Sequence, residues 1–140
     1  MKEIEVFTDG SSLGNPGRGG WCAILRYLGK ERVLSGAQAE ATNNQMELLA
    51  VIEALKVLKE PCSVILYSDS SYVIKGINEW LHGWVKKNFK NVKNPDLWQA
   101  YLDAAKPHRV RGIWVKGHDG HEENERCDKI AREEAAKLAP

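Results

Sequence analysis

Two strand-like runs, residues 20 to 28 (Gly-Trp-Cys-Ala-Ile-Leu-Arg-Tyr-Leu) and roughly 31 to 38, are separated only by Gly29-Lys30. A connection that short joins antiparallel neighbours and nothing else. An earlier run, residues 2 to 8, carries the apolar Ile4, Val6 and Phe7. Paired antiparallel with the second run, it makes the third run parallel to the first. Two more strands follow, Ser63–Tyr67 and Arg109–Lys116, each preceded by helical sequence. Neighbours in sequence tend to pair in space and crossovers are right-handed. The simplest closure therefore sets the fourth strand beside the first and parallel to it, and the fifth beside the fourth. The expected fold is α/β, a five-stranded mixed sheet in the order 3-2-1-4-5 flanked by helices.

Helix signals fill the gaps. Thr42-Asn43-Asn44-Gln45 matches a capping box. Met46, Leu49, Ala50, Ala54, Val57 and Leu58 form an apolar stripe behind it, and Pro61 follows its end. Helical segments are expected over 71 to 87 and 95 to 105, the second with Asn94 as N-cap and Pro95 at its first position. The last helix spans about 124 to 138, with Cys127, Ile130, Ala131, Ala135 and Leu138 as its stripe.

A chain of 140 residues with neither repeat nor linker reads as a single domain over residues 1–140. Its 43% hydrophobic and 28% charged residues suit a soluble protein with an ordinary core. No apolar run reaches membrane-spanning length, and Met1-Lys2-Glu3 opens no signal segment. Cys22, Cys62 and Cys127 are odd in number and widely spaced, so they read as reduced, buried thiols of a cytoplasmic protein, expected to be a monomer.

The topology has a chemical consequence. Asp9 ends the first strand and Asp69 follows the fourth, so parallel pairing sets both at the carboxyl edge, where open sheets bind ligands. Glu47 near the start of the first helix and Asp128 near the start of the last reach the same edge. Each acid alone has a bland reading: turn residues for Asp9 and Asp69, a first-turn dipole complement for Glu47, a surface charge for Asp128. Together they form a cluster whose members raise one another's pKa, which a fold keeps when a cation fills it. Oxygen ligands without Cys or His suit Mg²⁺ or Mn²⁺ over zinc. Two such ions about 3.5–4 Å apart can activate a water and stabilise a leaving oxygen in phosphodiester hydrolysis.

Phe7-Thr8-Asp9-Gly10-Ser11, Thr42–Glu47, Ser68-Asp69-Ser70, Lys116-Gly117-His118 and Glu123–Asp128 together closely resemble the type 1 ribonuclease H family, in order over nearly the whole chain. The resemblance implies an endonuclease that cuts the RNA strand of RNA/DNA hybrids with Mg²⁺, or Mn²⁺ as a substitute, leaving 3′-hydroxyl and 5′-phosphate ends. It implies Asp9, Glu47, Asp69 and Asp128 as metal ligands and His118 as a mobile histidine serving proton transfer or product release. Gly10, Ser11, Asn15, Asn43, Asn44 and Ser70 match positions lining the hybrid groove. Cutting only RNA requires sensing the 2′-hydroxyl, both donor and acceptor. Turn and cap chemistry is the competing role of these residues. Thr42 and Asn94 match a pocket for a DNA phosphate, and both also look like helix caps.

Trp80-Leu-His-Gly-Trp84-Val-Lys86-Lys87-Asn-Phe89-Lys90-Asn-Val-Lys93 interleaves aromatics with four lysines and no acid. A solvated helix face over buried tryptophans is one reading. The other is a basic protrusion holding the duplex, and the family resemblance favours it, with Trp80, Trp84, Lys86 and Lys87 as contacts. Asp119 and Ser71 depart from the family pattern, where a small residue and a glutamine are usual. A phosphate-loop ATPase would need a second domain that 140 residues do not supply. A non-catalytic hybrid-binding module would gain nothing from clustered carboxylates.

Overall fold

The computed structural model describes residues 1–116 and 122–138. Strands β1 (Lys2–Ser12), β2 (Gly17–Tyr27) and β3 (Lys30–Ala41) form an antiparallel meander, with Phe7 opposite Ile24 and Ala23 opposite Leu34. Strand β4 (Cys62–Ser68) lies parallel beside β1, Val6 level with Leu66. Strand β5 (Arg109–Trp114) lies parallel beside β4, Ser68 level with Trp114. The order β3-β2-β1-β4-β5 is the one the short turn and the crossovers dictate.

Alternation along the strands gives the sheet two apolar faces. Val6, Leu25 and Leu66 pack with Leu48 and Val51 of α1 (Asn43–Lys56) and with Trp98 of α4 (Pro95–Ala105). On the other face Phe7, Cys22 and Ile24 pack with Cys127 and Ala131 of α5 (Glu122–Lys137). Each such apolar side chain contributes about 1.5–3 kcal/mol by leaving water. All three cysteines are buried and free. Among the described residues, no helix is long and apolar enough to cross a membrane.

Several local expectations need correction. Strand β1 does not stop before Asp9. Gly10, Ser11 and Ser12 continue the ladder opposite Trp21, Gly20 and Gly19. The small residues that look like loop are strand residues over which helices close. A Cβ on Gly20 would sit 2.0 Å from the Ala131 carbonyl oxygen of α5, and one on Gly10 would sit 2.3 Å from the Glu47 amide nitrogen of α1. The buried stripe of α1 is wider than expected and rotated. Leu48, Val51, Ile52 and Leu55 are buried with Met46, Ala50 and Ala54, while Leu49 is only half-buried.

The capping box of α1 is complete, Thr42 Oγ1 accepting from the Gln45 amide (3.2 Å) and Gln45 Oε1 from the Thr42 amide (3.0 Å). Asn94 occupies the N-cap position of α4, its carbonyl accepting from the Trp98 amide (3.1 Å), but its side chain makes no capping bond. It sits in the left-handed region (φ 57°) and its side chain bonds elsewhere, although Pro95 does open the helix. The helix expected over 71 to 87 is three pieces: α2 (Ser71–Lys75), a π-helical turn (Gly76–Trp80) and α3 (Leu81–Lys86). From that turn, Asn78 Nδ2 donates to the Gly112 carbonyl (2.9 Å) and Asn78 Oδ1 accepts from the Gly112 amide (3.1 Å) on β5. Strand β5 ends at Trp114 rather than Lys116, and α5 begins at Glu122 rather than 124.

Gly10→Ala should push α1 off β1 and cost roughly 2–3 kcal/mol. Urea unfolding should show a lower midpoint at unchanged slope; a wild-type midpoint would mean the helix does not need this approach.

Candidate active site

Three elements bring three acids together. Asp9 lies within β1 and is buried, Glu47 lies in the second turn of α1 and is buried, and Asp69 follows β4 half-buried. One carboxylate oxygen from each falls within 4.8 Å of the others. The amide of Gly10 bridges two of them, donating to Asp9 Oδ1 (2.8 Å) and to Glu47 Oε1. That is why α1 must come so close.

Burial shifts both carboxyls. Asp9 is pushed up to about 7, mainly by desolvation, with Asp69 and Asp128 adding repulsion and a hydrogen bond from Glu47 opposing. Glu47 is held well above its ordinary value, first by desolvation and then by the charge on Asp9. Oxygen-only donors crowded this way fit a hard divalent cation.

Asp128 faces the same cleft, an opening of about 440 Å³ also lined by Gly10, Ser11, Asn43, Asn44 and Ser70. It stands outside the tight group of three, and its carboxylate pairs with Arg132 one turn along α5 (3.0 Å). Sequence reasoning overlooked that pairing, although the i,i+4 spacing signals it. It also overlooked Trp114, whose Nε1 donates to the Asp69 carbonyl (3.0 Å). His118 lies outside the described residues.

A second cavity of about 460 Å³ adjoins the cleft, lined by Asn15, Thr42, Asn43, Asn44, Lys93 and Asn94. Asn15 Oδ1 accepts from the Asn43 amide (3.1 Å), and Asn43 Oδ1 from the Ser12 amide (2.7 Å). These bonds tie the 13–16 loop to the start of α1. Asn94 accepts from Gln45 Nε2 (3.3 Å) and donates to the Tyr72 hydroxyl (3.2 Å). Both residues stand at helix N-caps and wall the cavity, but only Thr42 caps with its side chain.

In the basic segment, Lys86, Lys87, Lys90 and Lys93 are exposed, and among the described residues none has an ion-pair partner. Trp84 packs edge-on against buried Trp98 (5.1 Å between centroids), so it is partly core. Trp80 leans on Trp84 and stays 41% exposed.

A helix-flanked mixed sheet with carboxylates crowded at its carboxyl edge defines a hard-cation site of the kind that serves phosphodiester chemistry. The RNase H family model matches residues 1–136. A ribonuclease H of Sulfurovum sp. (strain NBC37-1) is 60% identical over 137 residues, covering 98% of this chain and 93% of that protein. The crystal structure of LC9-RNase H1, a type 1 RNase H with the type 2 active-site motif, is similar with a TM-score of 0.90 at 29% identity, covering 99% of this chain and 74% of that one. LC11-RNase H1, solved in complex with an RNA/DNA hybrid, shares the fold with a TM-score of 0.70 at 22% identity, covering 96% and 97%. The chain belongs to the ribonuclease H family.

The raised carboxyls set a pH dependence. A carboxyl whose folded pKa lies above its unfolded value of 3.8 contributes stability that is fully present below that value and lost as pH rises through about 7. Without divalent cations, stability should therefore fall between about pH 4 and pH 7. Asp9→Asn should remove its own share of that slope, leave the share set by desolvation of Glu47, and raise stability at pH 7.5 by roughly 2 kcal/mol. Denaturant titrations across that range in EDTA check it, and parallel curves for the two proteins would contradict the burial argument.

Proposed function

We propose that this chain is an endonuclease that hydrolyses the RNA strand of RNA/DNA hybrids, with Asp9, Glu47, Asp69 and Asp128 holding Mg²⁺, or Mn²⁺ in its place. The observation that carries the reading is the crowding of Asp9, Glu47 and Asp69 within 4.8 Å in a protein of this family. Binding a polyanion by itself would oppose such a cluster. When bound, the cations polarise the scissile phosphate and make a water nucleophilic near neutral pH.

The protein's own residues supply placement. Asn43, Asn44, Ser11 and Ser70 line the cleft with short amides and hydroxyls, which can donate to and accept from a ribose 2′-hydroxyl. Gly10 serves first by letting α1 close, and its amide is spent on the two carboxylates. Thr42, Asn94 and Asn15 wall the adjoining cavity, which receives a backbone phosphate of the uncut strand. Lys86 and Lys87, with Trp80 and Trp84 beside them, hold the duplex at a distance from the chemistry. His118 passes a proton or helps release product, leaving 3′-hydroxyl and 5′-phosphate ends. We read residues 1–140 as one catalytic domain acting as a cytoplasmic monomer, consistent with three free buried thiols.

A hybrid labelled on its RNA strand should be cut internally with Mg²⁺ and left intact with EDTA. Asp9→Asn should lose at least 10³-fold in turnover while still binding hybrid, since it removes a ligand charge and keeps the shape. Wild-type turnover in that variant would overturn the assignment.

Replacing Lys86 and Lys87 with Ala should raise KM more than it lowers kcat. The slope of log binding constant against log salt should shrink by about one unit per lost phosphate contact. An unchanged slope would make these lysines a solvated face only.

A further inference from the structure

Asp69 is the least anchored of the three clustered acids. Gly10 donates to the carboxylates of Asp9 and Glu47, but among the described residues no hydrogen bond reaches that of Asp69. Its position therefore depends on its backbone. That backbone lies beyond the last β4–β5 pair, Ser68 with Trp114, and before α2 begins at Ser71. Neither ladder nor helix holds it. The residue before it is fixed twice: the Ser68 carbonyl accepts from the Val115 amide (2.9 Å), and its Oγ accepts from the Ser70 amide (3.0 Å). The Asp69 carbonyl itself is held by the indole of Trp114, whose Nε1 donates to it at 3.0 Å.

Trp114 is 52% exposed. A tryptophan left half in water forgoes much of the burial that usually explains one, so core packing does not account for its place. We propose that Trp114 is a positioning residue. Its indole N–H fixes the Asp69 peptide and so keeps that carboxylate within reach of Asp9 and Glu47 against their mutual repulsion. Without the donor, the 69–70 peptide keeps only the bond from the Ser70 amide to Ser68 Oγ, and Asp69 relaxes away from the other two. The inference rests on the reading of Asp69 as a cation ligand.

The test removes the donor and keeps the ring, by Trp114→Phe and by a semisynthetic protein in which sulfur replaces the indole N–H. The latter is the same size, so it carries the test if Trp114→Phe melts early. Calorimetric titration of the substrate-free protein with Mg²⁺ should show affinity weakened about three- to ten-fold, the range one ordinary hydrogen bond supplies. Hybrid affinity in EDTA should stay at the wild-type value, since the lysines and the cleft are untouched. Asp69→Asn is the control. If it weakens Mg²⁺ binding while both Trp114 replacements bind as wild type does, the positioning role is wrong and the cation site stands. If Asp69→Asn leaves Mg²⁺ binding unchanged, the cation reading of Asp69 fails and the role of Trp114 fails with it.

Discussion

The catalytic edge depends on one close approach, that of α1 to the backbone of β1 at Gly10. No side chain fits between them. Because nothing intervenes, one amide can reach a carboxylate on the strand and another on the helix. The same approach removes both acids from water, and desolvation is the largest cause of their raised pKa values. Folding thus creates an electrostatic deficit that no cationic side chain among the described residues neutralises. Asp128, by contrast, has Arg132 as a counter-charge. The edge thus carries three acids with no cationic partner among the described residues and a fourth that is paired with an arginine.

Charge is divided in space. The net charge is only +1, so attraction to a polyanion cannot come from the total. It comes from segregation: lysines with no ion-pair partner among the described residues sit on and after α3, while Asp9 and Glu47 are buried in the cleft that Asn43, Asn44 and Ser70 also line. A phosphate backbone would meet positive charge first and the carboxylates only at the point of cutting. Trp98 links the two regions mechanically. Trp84 of the basic helix packs on it, and its Nε1 donates to Tyr72 (2.9 Å), whose hydroxyl also accepts from Asn94.

Strand order and the convergence of the acids were legible because both follow from local signals: a two-residue turn, apolar runs ending in Asp, and a capping box. What stayed hidden is tertiary. Gly10 and Gly19 fall outside the strand-like runs because their missing side chains are explained only by α1 lying over them. The stripe of α1 was misjudged because that helix packs on a broad sheet face and buries Leu48, Val51 and Leu55 as well. Asn94 has the residue type of a cap, but its amide is claimed by Gln45 and Tyr72, which are distant in sequence. The bond from Trp114 to Asp69 joins positions 45 residues apart and leaves no mark in either neighbourhood.

The pair of hydrogen bonds between Asn78 and Gly112 has a consequence for the edge of the sheet. Strand β5 is an outer strand, and an unpaired row of amides and carbonyls there invites a strand from another chain to add on. The side-chain amide of Asn78 offers one donor and one acceptor in the arrangement a neighbouring strand would present, and so occupies the middle of that row. Gly112, lacking a side chain to shield its own backbone, is where such shielding matters most. The π-helical turn places Asn78 over the strand, so the irregularity that interrupts the helix also covers the exposed edge of the sheet at Gly112.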